Sequence, residues 1–145
     1  MKVIGLAISA LLFVPQVSQA KNIYGEVLLT DVEPKTQKVW HREGNKSPHY
    51  PVALAQAKLQ GCTVLSFDIS EEGYTENVEV VSSIPNKHLG KYTKKEIKGW
   101  RWQQLDPLQS AMSEKRTLRF DYCLGLESAE QSLAQCQQQT QLNCG

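Results

Sequence analysis

Four cysteines are the most chemically reactive side chains of this sequence: Cys62, Cys123, Cys136 and Cys144. Thiols form disulfides, bind metals or act as nucleophiles, and their number and spacing favour one use over the others. The sequence contains no Cys-x-x-Cys pair, so a reducible dithiol site is disfavoured. The even number of cysteines favours two disulfides, for which three connectivities are possible.

The other side chains that could carry catalysis form no recognisable combination. The sequence has no G-x-S-x-G, no H-E-x-x-H and no phosphate-binding loop. His41, His49 and His88 lie in polar segments without paired spacing, which favours solvated histidines over zinc ligands. Glu71 and Glu72 stand beside a glycine turn, where acidic residues are ordinary. We therefore predict no enzymatic activity, no bound metal and no cofactor.

The amino-terminal residues have the layout of a cleaved secretory signal. Lys2 is followed by an apolar run over residues 3–14 and by the small-residue ending Ser18-Gln19-Ala20. This run is shorter than the roughly 20 residues that a membrane-spanning helix needs. We predict a signal peptide over residues 1–20 and a soluble product, without a membrane span, in an oxidising compartment where disulfides form.

The expected mature chain is neutral and of single-domain size. Cleavage after Ala20 leaves 125 of the 145 residues, enough for one compact domain. It also removes Lys2, one of 16 basic residues that face 15 acidic ones, so the formal charge becomes zero. Nucleic acid and anionic membrane surfaces are poor partners for a neutral protein.

Hydrophobic periodicity predicts a first helix that leads into a β-hairpin. Pro51 suits the first turn of this helix, and Gly61 suits its end. Residues 62–70 alternate between apolar and polar and predict strand one, and Gly73 forms the turn to strand two over residues 76–83. The predicted core-facing residues are Val52, Ala55 and Leu59 in the helix, Thr63, Leu65, Phe67 and Ile69 in strand one, and Val78 and Val80 in strand two.

A second helix, a third strand and a tail follow. Apolar residues recur at helical spacing from Leu89 to Trp100, and residues 116–124 alternate as strand three. Ser128 has the spacing of a capping box and predicts a short helix within the tail, residues 125–145. Residues 21–47 carry a weak signal that could add one more strand. The residues predicted to face inward in strand three are Leu118, Phe120, Tyr122 and Leu124. The residues predicted to share one side of their helix are Leu89, Thr93, Ile97 and Trp100 in the second helix, and Ala129, Leu133 and Cys136 in the tail.

Together these elements predict an α+β fold, with two helices packed on one face of a small three-stranded antiparallel or mixed sheet. Strands two and three are joined through a helix and should run parallel, with strand one between them in the order 2-1-3. This order places the start of strand one beside the end of strand three, where Cys62 and Cys123 face the same side. A Cys62–Cys123 disulfide therefore ranks first among the three connectivities, with Cys136–Cys144 clipping the tail.

Residues 48–124 resemble the carboxy-terminal domain of the TonB family of energy transducers. The resemblance rests on YPVALAQAKLQGCTVLSFDISEEGYTENVEVVSS and on LGKYTKKEIKGWRW, which ends in a Trp-basic-aromatic signature. The chain departs from the transducers in having no uncleaved membrane helix, no Pro-rich spacer and no proline closely after that signature, and in its four cysteines and its tail. The matching positions are Tyr50, Pro51, Ala55, Gly61, Val64, Phe67, Gly73, Val78, Trp100, Arg101 and Trp102.

The resemblance implies a binding module in the periplasm of a Gram-negative bacterium. Members of this family capture an extended segment of an outer-membrane TonB-dependent transporter by adding it to their sheet as a strand. The predicted order 2-1-3 leaves strand three as an open edge for such an addition, which main-chain hydrogen bonds would stabilise. The predicted partner-binding residues are Arg116, Thr117, Leu118, Arg119, Phe120, Asp121 and Tyr122.

Three alternatives stay open at this point. The edge of strand three could already be covered, by the amino-terminal segment or by the tail, because exposed edges are usually protected. The protein could be a periplasmic accessory or inhibitor-like envelope protein that keeps the fold without transducing energy. The basic face of the second helix could be a solvated surface or could steer an acidic partner.

Trp100 and Trp102 are more readily explained as core or rim anchors than as sugar-stacking residues.

Overall fold

The computed structural model describes residues 24–44, 47–125 and 127–145, so the predicted signal peptide lies outside the described residues. The fold is α+β. The elements in chain order are β1 (Tyr24–Glu33), β2 (Trp40–Arg42), α1 (Val52–Gln56), β3 (Gly61–Ile69), β4 (Thr75–Ile84), α2 (Lys87–Ile97), β5 (Trp102–Gln104), β6 (Glu114–Gly125) and α3 (Ala129–Gln139).

The main sheet has the strand order β1-β6-β3-β4, with every neighbouring pair antiparallel. The predicted strands one, two and three are β3, β4 and β6, so the predicted order 2-1-3 is confirmed within this sheet. The predicted number of strands is wrong, because β1 adds a fourth strand beside β6. A second sheet is a small ribbon in which β2 pairs with β5.

Alternation along the central strands defines one apolar face of the sheet. Phe67 in β3 and Phe120 in β6 are completely buried, as the period of two predicts. The helix α2 packs on this face through Leu89, Thr93 and Ile97, each with no exposed surface, which confirms these three positions of the predicted stripe. Trp100, the fourth, lies beyond the end of the helix and is partly buried. The same face carries the β2–β5 ribbon, whose Trp40 and Trp102 join the core cluster.

The first helix is shorter than the sequence predicts, and its predicted apolar stripe is only partly buried, with Leu59 packed against the core from beyond the end of the helix. The helix α1 has five residues and ends at Gln56, after which Lys58 adopts a positive φ of 52° and breaks the helical period. Leu54 is therefore the buried residue, whereas Val52 is 71% exposed. Gly61 does not end this helix but opens β3, with a φ of 153°. A Cβ atom at this position would lie 2.0 Å from the carbonyl oxygen of Ile84, so only glycine fits.

The tail folds back as α3 across the second face of the sheet. Ser128 caps this helix by accepting a hydrogen bond from the Gln131 N–H at 3.2 Å, as the sequence predicts. Of the residues predicted to share one face of this helix, Cys136 is buried, but Ala129 and Leu133 are exposed and Ser132 takes their place on the buried side. On this polar, non-core face α3 lies over the part of the sheet in which Cys62, Asp121 and Cys123 are buried, whereas Ser66 and Asp68 stay half-buried.

Both disulfides tie the tail to this second face, and the predicted pairing is wrong. The bonds are Cys62–Cys144 and Cys123–Cys136, with Cα atoms 5.8 and 5.2 Å apart. The register explains the error: Cys62 lies opposite Asp121, two residues short of Cys123. Diagonal neighbours at such a spacing are about 7–8 Å apart, too far for a bridge. Each central cysteine instead pairs with the part of the tail that lies above it.

Two tyrosines in contact with each other, Tyr122 fully buried and Tyr50 partly buried, make stability depend on alkaline pH. The rings of Tyr50 and Tyr122 meet edge to face at 5.6 Å, and burial raises the pKa of both phenols, that of Tyr50 to about 12. A tyrosine in the unfolded chain has a pKa of about 10. The protonated phenol is the form that the folded protein favours, so this contribution is complete below pH of about 10 and is lost as the pH rises toward about 12.

We therefore expect the free energy of unfolding to fall above pH 10, and to fall less steeply in Tyr50→Phe. Tyr92→Phe, on the exposed side of α2, is the matched control and should keep the wild-type pH dependence. Urea denaturation at several alkaline pH values measures these slopes. A Tyr50→Phe slope equal to that of the wild type would contradict the assignment.

Candidate partner-binding surface

The strand β6, which carries all of the predicted partner-binding residues, has no free edge. One side pairs with β3 and the other with β1, in a register that runs from Tyr24 opposite Gly125 to Glu33 opposite Thr117. The prediction of an open edge is therefore corrected. The alternative in which the amino-terminal segment covers this edge is the arrangement that the structure has.

The side chains of β6 are also engaged inside the protein. Arg116 is 3% exposed, forms an ion pair with Glu114 and donates a hydrogen bond to the carbonyl of Trp40 at 2.8 Å. Leu118, Phe120 and Tyr122 belong to the core. On the opposite face, Arg119 and Asp121 bind each other beneath α3, and Thr117 is half-buried.

Within the described residues, the main sheet ends in β1 on one side and in β4 on the other. The pairing of β4 with β3 is interrupted by two register shifts, and Asn77 within β4 has a positive φ of 50°. Such irregularities hinder the addition of a further strand. The pairing of β1 is regular from Tyr24 to Asp31, with a shift only between Asp31 and Glu33. The strand β1 is therefore the better edge for a partner.

A cleft of about 380 Å³ opens between β1 and the β2–β5 ribbon. All three tryptophans of the chain line it: Trp40, Trp100 and Trp102. The indole of Trp100 packs 5.7 Å from the ring of Phe120, and that of Trp102 packs 5.6 Å from Phe67. The tryptophans thus pack against the core, as predicted for Trp100 and Trp102, while one side of the cluster faces the cleft.

The cleft is rich in basic side chains. Lys38 forms an ion pair with Asp31, and Arg116 pairs with Glu114 as described above. Arg42 lies over the ring of Trp100, 4.3 Å from its centroid, and among the described residues no carboxylate lies within ion-pair distance of it. Burial lowers the pKa of Arg42, and the negative charge of Glu96 partly opposes that effect. Arg42 is therefore a partly desolvated cation at the cleft wall.

Comparison with known proteins decides the family. Residues 46–124, more than half of the chain, match the model of the Gram-negative bacterial TonB protein carboxy-terminal family. The chain belongs to this family. Protein TonB of Klebsiella pneumoniae is 28% identical over 60 residues, which are 41% of this chain and 25% of that protein, so the chain spans about a quarter of the relative's length. The solution structure of the TonB carboxy-terminal domain of Pseudomonas aeruginosa matches with a TM-score of 0.45 and 17% identity, over 65% of this chain and 90% of that one.

The residues that carry the TonB resemblance have structural roles: they hold the segment before α1 and the β2–β5 ribbon in place. Pro51 is buried and precedes α1, and the hydroxyl of Tyr50 donates to the carbonyl of Leu59. Gly73 turns the β3–β4 hairpin with a φ of 78°, and its carbonyl accepts the Trp102 N–H at 3.0 Å. A Cβ atom at Gly73 would lie 2.3 Å from the carbonyl oxygen of Trp102. This glycine lets the hairpin turn hold the β2–β5 ribbon at close range.

The sequence analysis did not identify Trp40 and Arg42 as site residues. Both line the cleft, and their strand β2 attaches the amino-terminal segment to the TonB domain by pairing with β5. The one signal available was a tryptophan within an otherwise polar connection, an arrangement that favours docking onto another surface.

The lysines of α2 remain mostly on its solvent side: Lys87, Lys91, Lys94, Lys95 and Lys98. In the part of the chain that the structure describes, no group of histidine, cysteine or acidic residues could hold a metal ion, and no helix is long and apolar enough to cross a bilayer.

Proposed function

We propose that this protein is a periplasmic binding module that takes up an extended segment of an envelope protein as an added strand on the outer side of β1. The observation that carries the proposal is the regular edge of β1, from Tyr24 to Asp31, with which no strand of the described residues pairs on its outer side. Membership of the TonB carboxy-terminal family supports a TonB-like protein-interaction module.

The energetics of strand addition suit an edge of this kind. Main-chain N–H and C=O groups of the added segment satisfy those of β1, and alternate side chains contact the protein on each face. On the apolar face, Leu29 is 36% exposed and would be covered by the incoming strand. The proposed segment is the amino-terminal part of an outer-membrane TonB-dependent transporter, the partner class that the family suggests.

One observation favours a second candidate. The edge on which the family resemblance places partner capture is occupied by the protein's own β1. A family member with that edge permanently closed would suit an accessory or inhibitor-like role in the envelope, without energy transduction. The two candidates differ in whether a transporter segment ever pairs with this sheet.

Photo-crosslinking in cells separates them. A photoreactive residue in place of Thr30, an exposed position of β1, should capture the amino-terminal segment of a transporter. The same residue in place of Glu79, exposed on β4, is the matched control and should not. Mass spectrometry of the cross-linked peptides identifies the partner and the position of the contact.

Two other results would overturn the proposal in different ways. Capture of a transporter from Thr117 of β6, but not from Thr30, would mean that the partner replaces β1 rather than adding to it. Capture of other periplasmic proteins from Thr30, with no transporter from either position, would favour the accessory role.

A further inference from the structure

The cleft beside β1 has the composition of a binding site for one kind of side chain. Its walls are aromatic and aliphatic, from the three tryptophans together with Leu29 and Leu118. Its volume of about 380 Å³ lies near the lower end of the range for ligand pockets, roughly 300–1,000 Å³. Such a space fits one or two bulky side chains rather than a large cofactor.

Among the described residues of the cleft, the groups that lack partners are hydrogen-bond donors, and the partners they lack are acceptors. Lys38 and Asp31 neutralise each other. Arg42 lies over the face of Trp100, and among the described residues no carboxylate lies within ion-pair distance of it. The negative charge of Glu96 acts on it only from beyond that distance. The Nε–H of Arg116 is buried and has no hydrogen-bond partner among the described residues. A partly buried guanidinium gains most from a carboxylate, which can accept two hydrogen bonds from it.

The position of the cleft indicates how an occupant would arrive. Leu29 and Asp31 lie on the apolar face of β1 and line the cleft, and no strand of the described residues pairs with the outer edge of β1. Side chains of a strand added beside them project on the same face at every second residue. A peptide paired with β1 could therefore place a side chain in the cleft.

We propose that this cleft binds a bulky apolar side chain that stands next to a carboxylate in an extended peptide, with Arg42 as the residue that binds the carboxylate. The proposal rests on the proposed function for the nature of the occupant. The site itself can be tested without any strand addition, because small amino-acid derivatives present the same two groups.

The tryptophans provide a direct readout, since the chain has no tryptophan outside this cleft. We expect N-acetyl-L-phenylalanine to change the intrinsic tryptophan fluorescence of the mature protein saturably. N-acetyl-L-phenylalaninamide, which differs only in lacking the carboxylate, should bind about tenfold more weakly, the effect of one charge-assisted hydrogen bond.

Variants of two arginines test whether Arg42 is the residue that causes the preference for the carboxylate. Arg42→Gln should remove the preference for the carboxylate, whereas Arg101→Gln should keep it. Arg101 is the matched control because it also stacks on an aromatic ring, that of Tyr74 at 3.7 Å, but does not line the cleft. Equal thermal midpoints of the variants would show that both remain folded.

Three results would overturn the inference: no saturable change with either derivative, equal affinity for both, or a carboxylate preference that survives in Arg42→Gln. The first two are measured on the unaltered protein and do not depend on the folding of a variant. Crosslinking from Thr30 is a separate measurement. It can therefore support strand addition while the fluorescence titration contradicts binding in the cleft, and the titration can support binding while the crosslinking contradicts strand addition.

Discussion

Arg119→Met should lower the free energy of unfolding by about 3–5 kcal/mol, the cost of leaving one charge of a buried ion pair without its partner. The guanidinium donates two hydrogen bonds to Asp121, at 2.8 and 2.9 Å, and Asp121 has no exposed surface. The same arginine donates to the carbonyls of Gln139 and Leu142, at 2.9 and 2.7 Å. Loss of this side chain therefore leaves a buried carboxylate without its counter-ion, with only the Gln139 amide of the described residues still donating to it at 3.0 Å, and removes two hydrogen bonds to the end of the tail.

A double variant tests this explanation. Arg119→Met combined with Asp121→Leu removes both charges, and replacing a buried pair by apolar residues is often close to neutral. We expect the double variant to be more stable than Arg119→Met alone, as measured by urea denaturation with tryptophan fluorescence. Arg101→Met, at an exposed arginine, should change stability little. Additive losses from the two substitutions would contradict a coupled pair.

Removal of the Cys62–Cys144 disulfide, by alanine at both positions, should lower the free energy of unfolding by about 4.5 kcal/mol in the loop-entropy model. The bond joins residues 82 apart in sequence, so it restricts much of the unfolded chain. The Cys123–Cys136 bond joins residues 13 apart, and its removal should cost about 3 kcal/mol. The two paired variants are matched controls for each other, and a reversed order of the losses would count against this account.

The connectivity can be read from peptides of the unreduced protein. Trypsin cannot distinguish the three connectivities, because no lysine or arginine follows Arg119 and three cysteines remain on one peptide. Cleavage after Glu127 and Glu130 separates Cys123 from Cys136, and chymotrypsin at Leu142 separates Cys144. We expect linked peptides that pair Cys62 with Cys144 and Cys123 with Cys136. A link between Cys62 and Cys123 would contradict the structure.

The central part of the fold could be predicted because its signals are local. Alternation in β3 and β6 and the helical period of α2 each fix a buried side within one element. The order of these strands then followed from the antiparallel hairpin and from the helix that joins β4 to β6. Where α1 is too short for a period to develop, the same reasoning chose Val52 instead of Leu54 as a core residue.

From the sequence, coverage of the β6 edge by the amino-terminal segment could be named only as one alternative, and the cleft could not be predicted, since both depend on contacts between distant segments. In β1, Val27 is the one fully buried residue, so its alternation is faint in the sequence. Trp40 and Arg42 occupy a three-residue strand whose partner, β5, is about 60 residues away in the chain. The prediction of the disulfide connectivity was wrong for a similar reason, because a register difference of two residues decides which cysteines lie close enough to pair.

The pairing of β1 with β6 joins the first described strand to the last, from Tyr24 opposite Gly125 to Glu33 opposite Thr117. Pairings between such distant segments raise the contact order of a domain and slow its folding. A chain that emerges amino terminus first would hold β1 unpaired until almost all of its residues have followed. The edge strand and the cleft beside it therefore cannot form before β6 has emerged, and a protease acting before that point would meet an unpaired β1.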